Sequence, residues 1–232
     1  MTPALLAEVM EATWPPASRQ SLGPFTLRDG AGGGKRVSAA SLDGGSFTDA
    51  DLDALDSVMA QPLMLVRAKE TALDTALATR SWTIIDPVVA YAAPVARLTA
   101  DLPGLTAFPH WPPLEIARSI WDRGGIGPAR LAVMDRVLGP KAALLGRIDD
   151  RPAGVAFVAC HGAEAMVHAV EVRDSHRRQG LGKSLLHAAA NWAADQGASR
   201  LSLVVTRQNT AARALYARLG MEVVGKYHYR MK

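Results

Sequence analysis

The chain has 232 residues, of which 49% are hydrophobic and 21% are charged, and its formal net charge is +4. This length and balance predict a globular protein with one large domain or two small ones, and no apolar run is long enough to cross a membrane. The single cysteine excludes an internal disulfide, no Cys/His cluster has zinc spacing, and Met1–Trp14 lacks the basic start and long apolar stretch of a secretory leader.

The first 100 residues alternate between helical and strand-like patterns. Apolar periodicity predicts helices over Asp49–Met59 and Glu70–Thr79, on either side of a strand over Pro62–Arg67. Extended segments interrupted by prolines follow over Trp82–Val95.

A glycine-rich run, Asp29–Arg36, precedes these elements. It lies between strand-like Phe25–Arg28 and Val37–Ala40, a setting that is typical of a flexible hairpin loop. Phosphate binding is the alternative interpretation of the same run.

The middle of the chain begins with a proline-rich stretch, Asp101–Pro113, which is predicted to be a linker or an irregular crossing segment. The helical pattern over Pro113–Val137 is broken by glycines, so two helices are expected there. Lys141–Ile148 and Pro152–Cys160 form a predicted hairpin, in which Cys160 is expected to be a core residue rather than a nucleophile.

A strand, a glycine-rich turn and a helix follow in succession. The pattern of Met166–Val172 predicts a strand with Met166, His168, Val170 and Val172 on one face. The helix is predicted over Leu181–Gln196 and ends at a glycine.

The turn between them has the chemistry of an anion site. It consists of Arg177, Arg178, Gln179, Gly180, Leu181, Gly182, Lys183 and Ser184. First-turn N–H groups lack intrahelical partners, the helix dipole favours negative charge, and glycine lets a phosphate approach the backbone. The spacing is neither that of a P-loop nor that of a Rossmann fingerprint. It fits the pattern [Q/R]-x-x-G-x-[G/A] and suits a pyrophosphate.

The C-terminal region contains a strand over Leu201–Val205 and then a helix with Asn209 as its N-cap. Apolar residues recur at helical spacing, with Ala212 and Tyr216 on one face, until Gly220 ends the helix. Closing strands are expected after it.

Two signatures, the turn at 177–182 and the segment Asn209–Gly220, resemble the acetyl-CoA loop and the N-x-x-A-x-x-[L/F]-Y-x-x-x-G segment of the GNAT acyltransferase superfamily. Met221 stands where phenylalanine is usual. The C-terminal half resembles the ribosomal-protein N-terminal acetyltransferases in particular. The resemblance implies an α/β GNAT acyl-CoA N-acyltransferase fold, with a mixed central sheet flanked by helices. It also implies an N-acetyltransferase that moves the acetyl group of acetyl-CoA directly to a primary amine.

The resemblance further implies where acetyl-CoA binds. Its pantetheine would bond to backbone groups of Val170 and Val172, at the end of the strand. Its pyrophosphate would lie on backbone N–H groups from Arg178 to Lys183, with Arg177 and Ser184 beside it.

Catalytic roles follow from the same comparison. Tyr216 is the candidate general acid, because a phenol can protonate a thiolate of similar basicity, and packing is its alternative role. His168 is the candidate base, with a buried structural histidine and ordered water as the alternatives. Asn209 and Ala212 are expected to contact the cofactor from the second helix.

Residues 1–100 are predicted to be a degenerate GNAT-like or accessory domain, in tandem with a catalytic domain at 101–232. Pro62–Ala68 aligns with Arg200–Thr206 at an offset of 138 residues, within a repeated order of helix, strand, helix and strand. The position of the tyrosine acid in this alignment is Leu77, which has no hydroxyl, so no second catalytic site is expected.

The expected partners follow from the charge and the motifs. An anionic cofactor accounts for the basic residues, so neither nucleic acid nor a membrane is expected as a partner, and a cytoplasmic location is expected. The acceptor is an unidentified amine, either a small molecule or a peptide N-terminus. No metal is expected, and a homodimer is left open. The rival hypotheses are a non-catalytic acyl-CoA sensor and a different acyl group.

Overall fold

One sheet of 11 strands runs through the computed structural model, which describes residues 1–43 and 45–232. The strands are β1 (Ser18–Leu22), β2 (Phe25–Asp29), β3 (Ala40–Leu42), β4 (Leu63–Arg67), β5 (Thr83–Pro94), β6 (Ala107–His110), β7 (Lys141–Ile148), β8 (Arg151–His161), β9 (Glu164–Val172), β10 (Arg200–Thr206) and β11 (Glu222–Met231). The helices are α1 (Pro3–Thr13), α2 (Lys35–Ser38), α3 (Asp49–Val58), α4 (Thr71–Thr79), α5 (Val95–Leu98), α6 (Glu115–Arg123), α7 (Pro128–Asp135), α8 (Leu181–Asp195) and α9 (Thr210–Arg218).

The order of strands across the sheet is β1-β2-β3-β4-β11-β5-β10-β9-β8-β7-β6. The group β1, β2, β3, β4 and β11 has the same pairing as the group β7, β8, β9, β10 and β5: two antiparallel pairs, a parallel pair and a final antiparallel pair. The final strand of each group comes from the other half of the chain, and these exchanged strands, β5 and β11, pair with each other. The sheet therefore continues across residue 100, and the domain boundary predicted there stays a prediction.

The two faces of the sheet carry different helices. Alternate residues of β7 and β8 separate into two cores: Leu144 and Val158 share one with α8, and Leu145 and Phe157 share the other with α6. The core on the α8 face also includes residues of α5 and α9. The opposite face carries α6, α7 and α1, the last packed against β8 and β9. Residues on opposite faces can meet only where neighbouring strands separate.

Most predicted elements are confirmed. The helices α3, α4, α8 and α9 and the strands β4 and β10 lie where the periodicity places them, and the hairpin forms as β7 and β8. The helical pattern broken by glycines becomes α6 and α7. A capping box starts α3, in which the Thr48 side chain accepts from the Asp51 N–H and the Asp51 carboxylate accepts from the Thr48 N–H at 2.8 Å.

Three details of the prediction from the sequence are wrong. The predicted linker over 101–113 contains the edge strand β6, which tolerates Pro109 because an edge needs few ladder N–H groups. Val37 belongs to the short helix α2 rather than to a strand. The prolines do not interrupt β5, because Pro87 lies at a bulge opposite β11, where no ladder N–H is required.

Candidate active site

A gap between β9 and β10 is the centre of the site. The two strands pair in parallel from Glu164 and Arg200 to Val167 and Leu203, and both continue beyond the last pair without facing each other in the ladder. The backbone of 168–172 therefore lacks a strand partner on its β10 side. The ladder between β9 and β10 is therefore interrupted beyond Val167 and Leu203.

A bulge in β9 decides which side chains face the gap from each side. Ala169 has a φ of 52°, and the β8–β9 register shifts beside it. The bulge reverses the alternation, so Val170 and Val172 pack with the α8 core while His168 faces α1. The prediction that all three side chains share a face is therefore wrong. Trp121 Nε1 donates to the Ala169 carbonyl at 2.7 Å and holds the bulge in place.

The glycine-rich turn enters α8 with its backbone uncovered. Gly180 is the N-cap residue with a φ of 86°, and no side chain caps the helix. Its carbonyl accepts from the N–H groups of Lys183 and Ser184 at 2.9 and 3.2 Å. The N–H groups of Leu181 and Gly182 are thus first-turn donors without an intrahelical acceptor. A Cβ built on Gly180 meets no atom within 4 Å, which leaves space for an anion beside these donors.

Arg177 ties this turn to β9. Its Nε donates to the carbonyl of the last residue of β9 at 3.1 Å, and its guanidinium forms ion pairs with Glu171 at 3.1 Å and Asp174 at 2.8 Å. These contacts hold the turn against β9, so the role of Arg177 in this structure is to shape the turn.

The other side chains of the turn lie toward solvent. Arg178, Gln179 and Lys183 are exposed, and Ser184 is half-buried. The Gln179 amide donates to the Ser175 carbonyl at 3.3 Å. Within the described part of the chain, Arg178 and Lys183 form no ion pair, so their charges are available to an anion at the helix start.

The helix α9 places the candidate acid on the same face as the turn. Asn209 is confirmed as its N-cap, since its side-chain oxygen accepts from the N–H of half-buried Ala212 at 3.1 Å. Tyr216 is 7% exposed, with its ring centroid 5.7 Å from that of Tyr91. Burial, helped by Tyr91, raises the pKa of Tyr216 to about 12, so the phenol stays protonated at neutral pH.

The candidate base lies on the opposite face, with both ring nitrogens occupied. Arg36 Nη1 donates to His168 Nδ1 at 2.9 Å, because an arginine can only donate. His168 Nε2 therefore carries the proton and donates to the Thr13 hydroxyl at 2.9 Å, which donates to the Val9 carbonyl at 2.6 Å. Burial and the charge of Arg36 hold the pKa of His168 well below its usual value of 6.5. The imidazole is neutral and orients Arg36.

A cavity of about 280 Å³ lies where His168 meets the separated strands, and we call it the gap pocket. Its polar lining includes Lys35, Arg36, Asp86, Arg130, His168 and Thr206. The sequence interpretation missed both arginines as site residues. The only signal for Arg36 was the glycine run Asp29–Arg36, which α2 brings against the gap rather than leaving it as a hairpin tip.

Metal-dependent and thiol-based catalysis have less support in the described residues. No group of three His, Cys, Asp or Glu side chains there has an arrangement that would hold a metal ion. Burial raises the pKa of the Cys160 thiol to about 11, so it remains a protonated core residue. No helix in the described ranges combines the length and the apolar character that a bilayer span requires.

Solved structures of other proteins have the same fold as this chain. A structure described as a GCN5-related N-acetyltransferase from Kribbella flavida superposes with a TM-score of 0.73 at 22% identity, over 100% of this chain and 96% of that one. A tandem GNAT protein from the clavulanic acid biosynthesis pathway superposes with a TM-score of 0.63 at 15% identity, over 99% of this chain and 88% of that one. The chain therefore has the α/β GNAT fold, with a mixed open sheet flanked by helices.

Sequence comparison locates the family likeness more narrowly. An uncharacterized N-acetyltransferase, YobR of Bacillus subtilis (strain 168), is 35% identical over 63 residues, which are 27% of this chain and 26% of that relative. The chain thus matches about a quarter of the length of this curated relative. The model of the acetyltransferase (GNAT) family matches residues 116–221, which include the gap, the glycine-rich turn and Tyr216. The sequence likeness to the GNAT acetyltransferases therefore coincides with the region that contains the candidate site.

Proposed function

We propose that the chain is an N-acetyltransferase that transfers the acetyl group of acetyl-CoA directly to a primary amine. The observation that carries the proposal is the gap between β9 and β10. The glycine-rich turn and Tyr216 lie beside it on one face of the sheet, and the gap pocket lies beside it on the other. Two substrates that enter from opposite faces would meet in the gap, and direct transfer needs this kind of alignment.

The residues present fit acetyl-CoA. The uncovered N–H groups of Leu181 and Gly182, with two exposed cations beside them, suit a pyrophosphate. The backbone of 168–172 has no strand partner on its β10 side, so backbone groups at Val170 and Val172 would suit the amides of pantetheine, which would extend from the turn into the gap. Asn209 would border the cofactor at the start of α9.

The transfer forms a C–N bond and breaks a C–S bond. The neutral amine attacks the thioester carbonyl, and the CoA thiolate leaves as the amide forms. Tyr216 donates its hydroxyl proton to the thiolate, the amine gives its proton to solvent water, and solvent returns a proton to the Tyr216 phenolate, so the protons balance. The raised pKa of Tyr216 keeps the proton on the phenol until the thiolate develops.

We assign the removal of the amine proton to solvent water rather than to His168. The lone pair of Nδ1 accepts from Arg36, and the Nε2 proton is donated to Thr13. A histidine that already uses both nitrogens has to break one of these bonds before it can accept a proton. His168 is therefore proposed as a positioning residue.

The first half of the chain is proposed to be a degenerate GNAT-like unit that binds no second cofactor. The capping box of Asp51 satisfies backbone N–H groups at the start of α3 and places a negative charge there. The corresponding start of α8 has free N–H groups instead. The Arg67 guanidinium donates to the Leu42 carbonyl at 3.0 Å and pairs with Glu70 at 2.8 Å, so it fills the end of the parallel β3–β4 pair. Leu77 is fully buried at the position aligned with the tyrosine acid.

A thiol-release assay tests the proposed function. Acetyl-CoA is supplied with a panel of amines that includes amino acids, polyamines, aminoglycosides and short peptides with free N-termini. Acetylation of at least one amine, with release of one thiol per acetylated product, is the expected result. Binding of acetyl-CoA without thiol release from any amine would favour the non-catalytic sensor instead. Propionyl-CoA and succinyl-CoA in the same assay give the acyl preference.

A further inference from the structure

We propose that the acceptor is a small primary amine that carries an anionic group, a carboxylate or a phosphate, which Arg36 and Arg130 bind. The inference rests on the proposed function, because it names the acceptor class of the same site. It comes from the residues that line the gap pocket, none of which belongs to the two sequence signatures.

The gap pocket has an excess of positive charge. Three cations, Lys35, Arg36 and Arg130, line it together with one carboxylate, Asp86. Lys35 and Asp86 form an ion pair with each other. Neither arginine pairs with a carboxylate anywhere in the described ranges, and the neutral ring of His168 adds no charge. A cationic or polycationic acceptor would meet two uncompensated positive charges here, whereas an anionic group would neutralise them.

Arg36 is held ready for such a group. Its Nη1 is fixed on His168 at 2.9 Å, and its guanidinium lies 6.0 Å from the centre of the Trp14 ring. Its Nε is buried without an acceptor among the described residues. The groups that contact this partly buried guanidinium, the His168 ring and the Tyr229 hydroxyl, are neutral, so its charge has no carboxylate partner among the described residues. Its planar fork matches a carboxylate or phosphate.

The glycine run explains how Arg36 reaches this place. Gly34 has a φ of 101°, a conformation that favours glycine, and a Cβ added there would lie 3.5 Å from Arg130 Nε. A Cβ on Gly33 would lie only 2.5 Å from Val133 Cγ2 on α7. The run therefore packs closely against α7 and presents Arg36 at the gap. This gives the motif a role in the acceptor site rather than in binding the phosphates of the cofactor.

The size of the pocket agrees with a small acceptor. About 280 Å³ lies just below the usual range for small-molecule sites. An anionic group held by Arg36 would leave the amine of the same molecule to approach the gap, where the acetyl group passes from sulfur to nitrogen. The anionic group does not react, so its contribution is orientation and selection.

The test compares matched acceptors on matched variants. The value of kcat/KM is measured for β-alanine against its amide and for phosphoethanolamine against ethanolamine, with wild type, Arg36→Gln, Arg36→Lys and Arg130→Gln. The ratio of acidic to neutral acceptor should favour the acid in wild type for at least one pair. It should fall at least about 10-fold in Arg36→Gln, since a charge-assisted bidentate contact is lost. The basicity of each amine affects the ratio equally in every variant, so it cancels when the ratio is compared between variants.

Controls separate this inference from the proposed function. Arg151→Gln, at the exposed start of β8, should keep the wild-type ratio. Arg130→Gln provides a second reading if Arg36→Gln does not fold, and Arg36→Lys should restore part of the ratio. The two pairs distinguish a carboxylate from a phosphate. Equal ratios in wild type and the arginine variants, or no turnover of any acidic amine, would overturn the inference. If neutral amines still turn over in that case, the proposed function stands; if acetyl-CoA does not bind, the proposed function fails first.

Discussion

Replacing Tyr216 with phenylalanine removes one hydroxyl and keeps the ring. The ring is buried and lies 5.7 Å from Tyr91, and these packing contacts do not depend on the oxygen. No acceptor for that hydroxyl occurs in the described part of the chain, so the free energy of unfolding should change by less than about 0.5 kcal/mol. The affinity for acetyl-CoA should also remain near that of the wild type.

The effect on turnover should be far larger. Loss of a positioned proton donor should lower kcat by about 10²–10³-fold, which corresponds to about 2.7–4.1 kcal/mol of transition-state stabilisation. Because burial raises the pKa of Tyr216 to about 12, ionisation of the phenol should not reduce the wild-type rate below about pH 11.

The measurement is a pre-steady-state rate of thiol release with the best acceptor, alongside urea unfolding and acetyl-CoA titration of the same variant. The combination of slow chemistry, normal stability and normal binding is the expected result. Turnover at the parent rate under conditions where chemistry limits would refute the acid role and leave Tyr216 as a packing residue.

Three further predictions concern buried side chains. Because the pKa of His168 is held well below 6.5 in the folded state, the unfolded chain takes up the proton first as pH falls, so stability should decline below pH 6.5 by up to about 1.4 kcal/mol per pH unit. Urea unfolding at pH 7.5 and 5.0 should show a smaller decline for His168→Gln, and equal declines would contradict the buried neutral ring. Trp121→Phe leaves the Ala169 carbonyl without its donor and should cost about 1–3 kcal/mol in unfolding free energy, measured by the same method; a cost below about 0.5 kcal/mol would mean that the bond does not hold the bulge. Cys160, with a pKa of about 11, should react with a thiol reagent at pH 8 only after denaturant is added, and rapid labelling of the native protein would disprove its burial.

Local signals in the sequence were sufficient for much of the second half of the fold. The uncapped glycine turn before α8 and the Asn209 cap before α9 depend on residues within one or two helical turns, and both were predicted at the correct positions. Local signals also explain why α3 and α4 are predicted correctly, because the periodicity of their apolar residues matches their buried faces.

Features that depend on distant residues were not accessible in this way. β5 and β11 each pair with a strand from the other half of the chain. The alternation of apolar residues along a strand does not show which neighbour that strand has. The contact between Arg36 and His168 joins residues separated by 132 positions. The bulge at Ala169 had no glycine to mark it, because the Trp121 contact from α6 supports its positive φ.

Calorimetric titration with acetyl-CoA tests the central claim most directly. The proposed function predicts one site per chain in the wild type and no measurable binding in Gly180→Asp, in which a negative side chain with a strained positive φ would occupy the anion space at the start of α8. Gly197→Asp is the matched control, because it places the same charge at another positive φ, after the far end of α8. Two equivalent sites in the wild type would contradict the degenerate first half, and unchanged binding in Gly180→Asp would contradict the placement of acetyl-CoA on the glycine-rich turn.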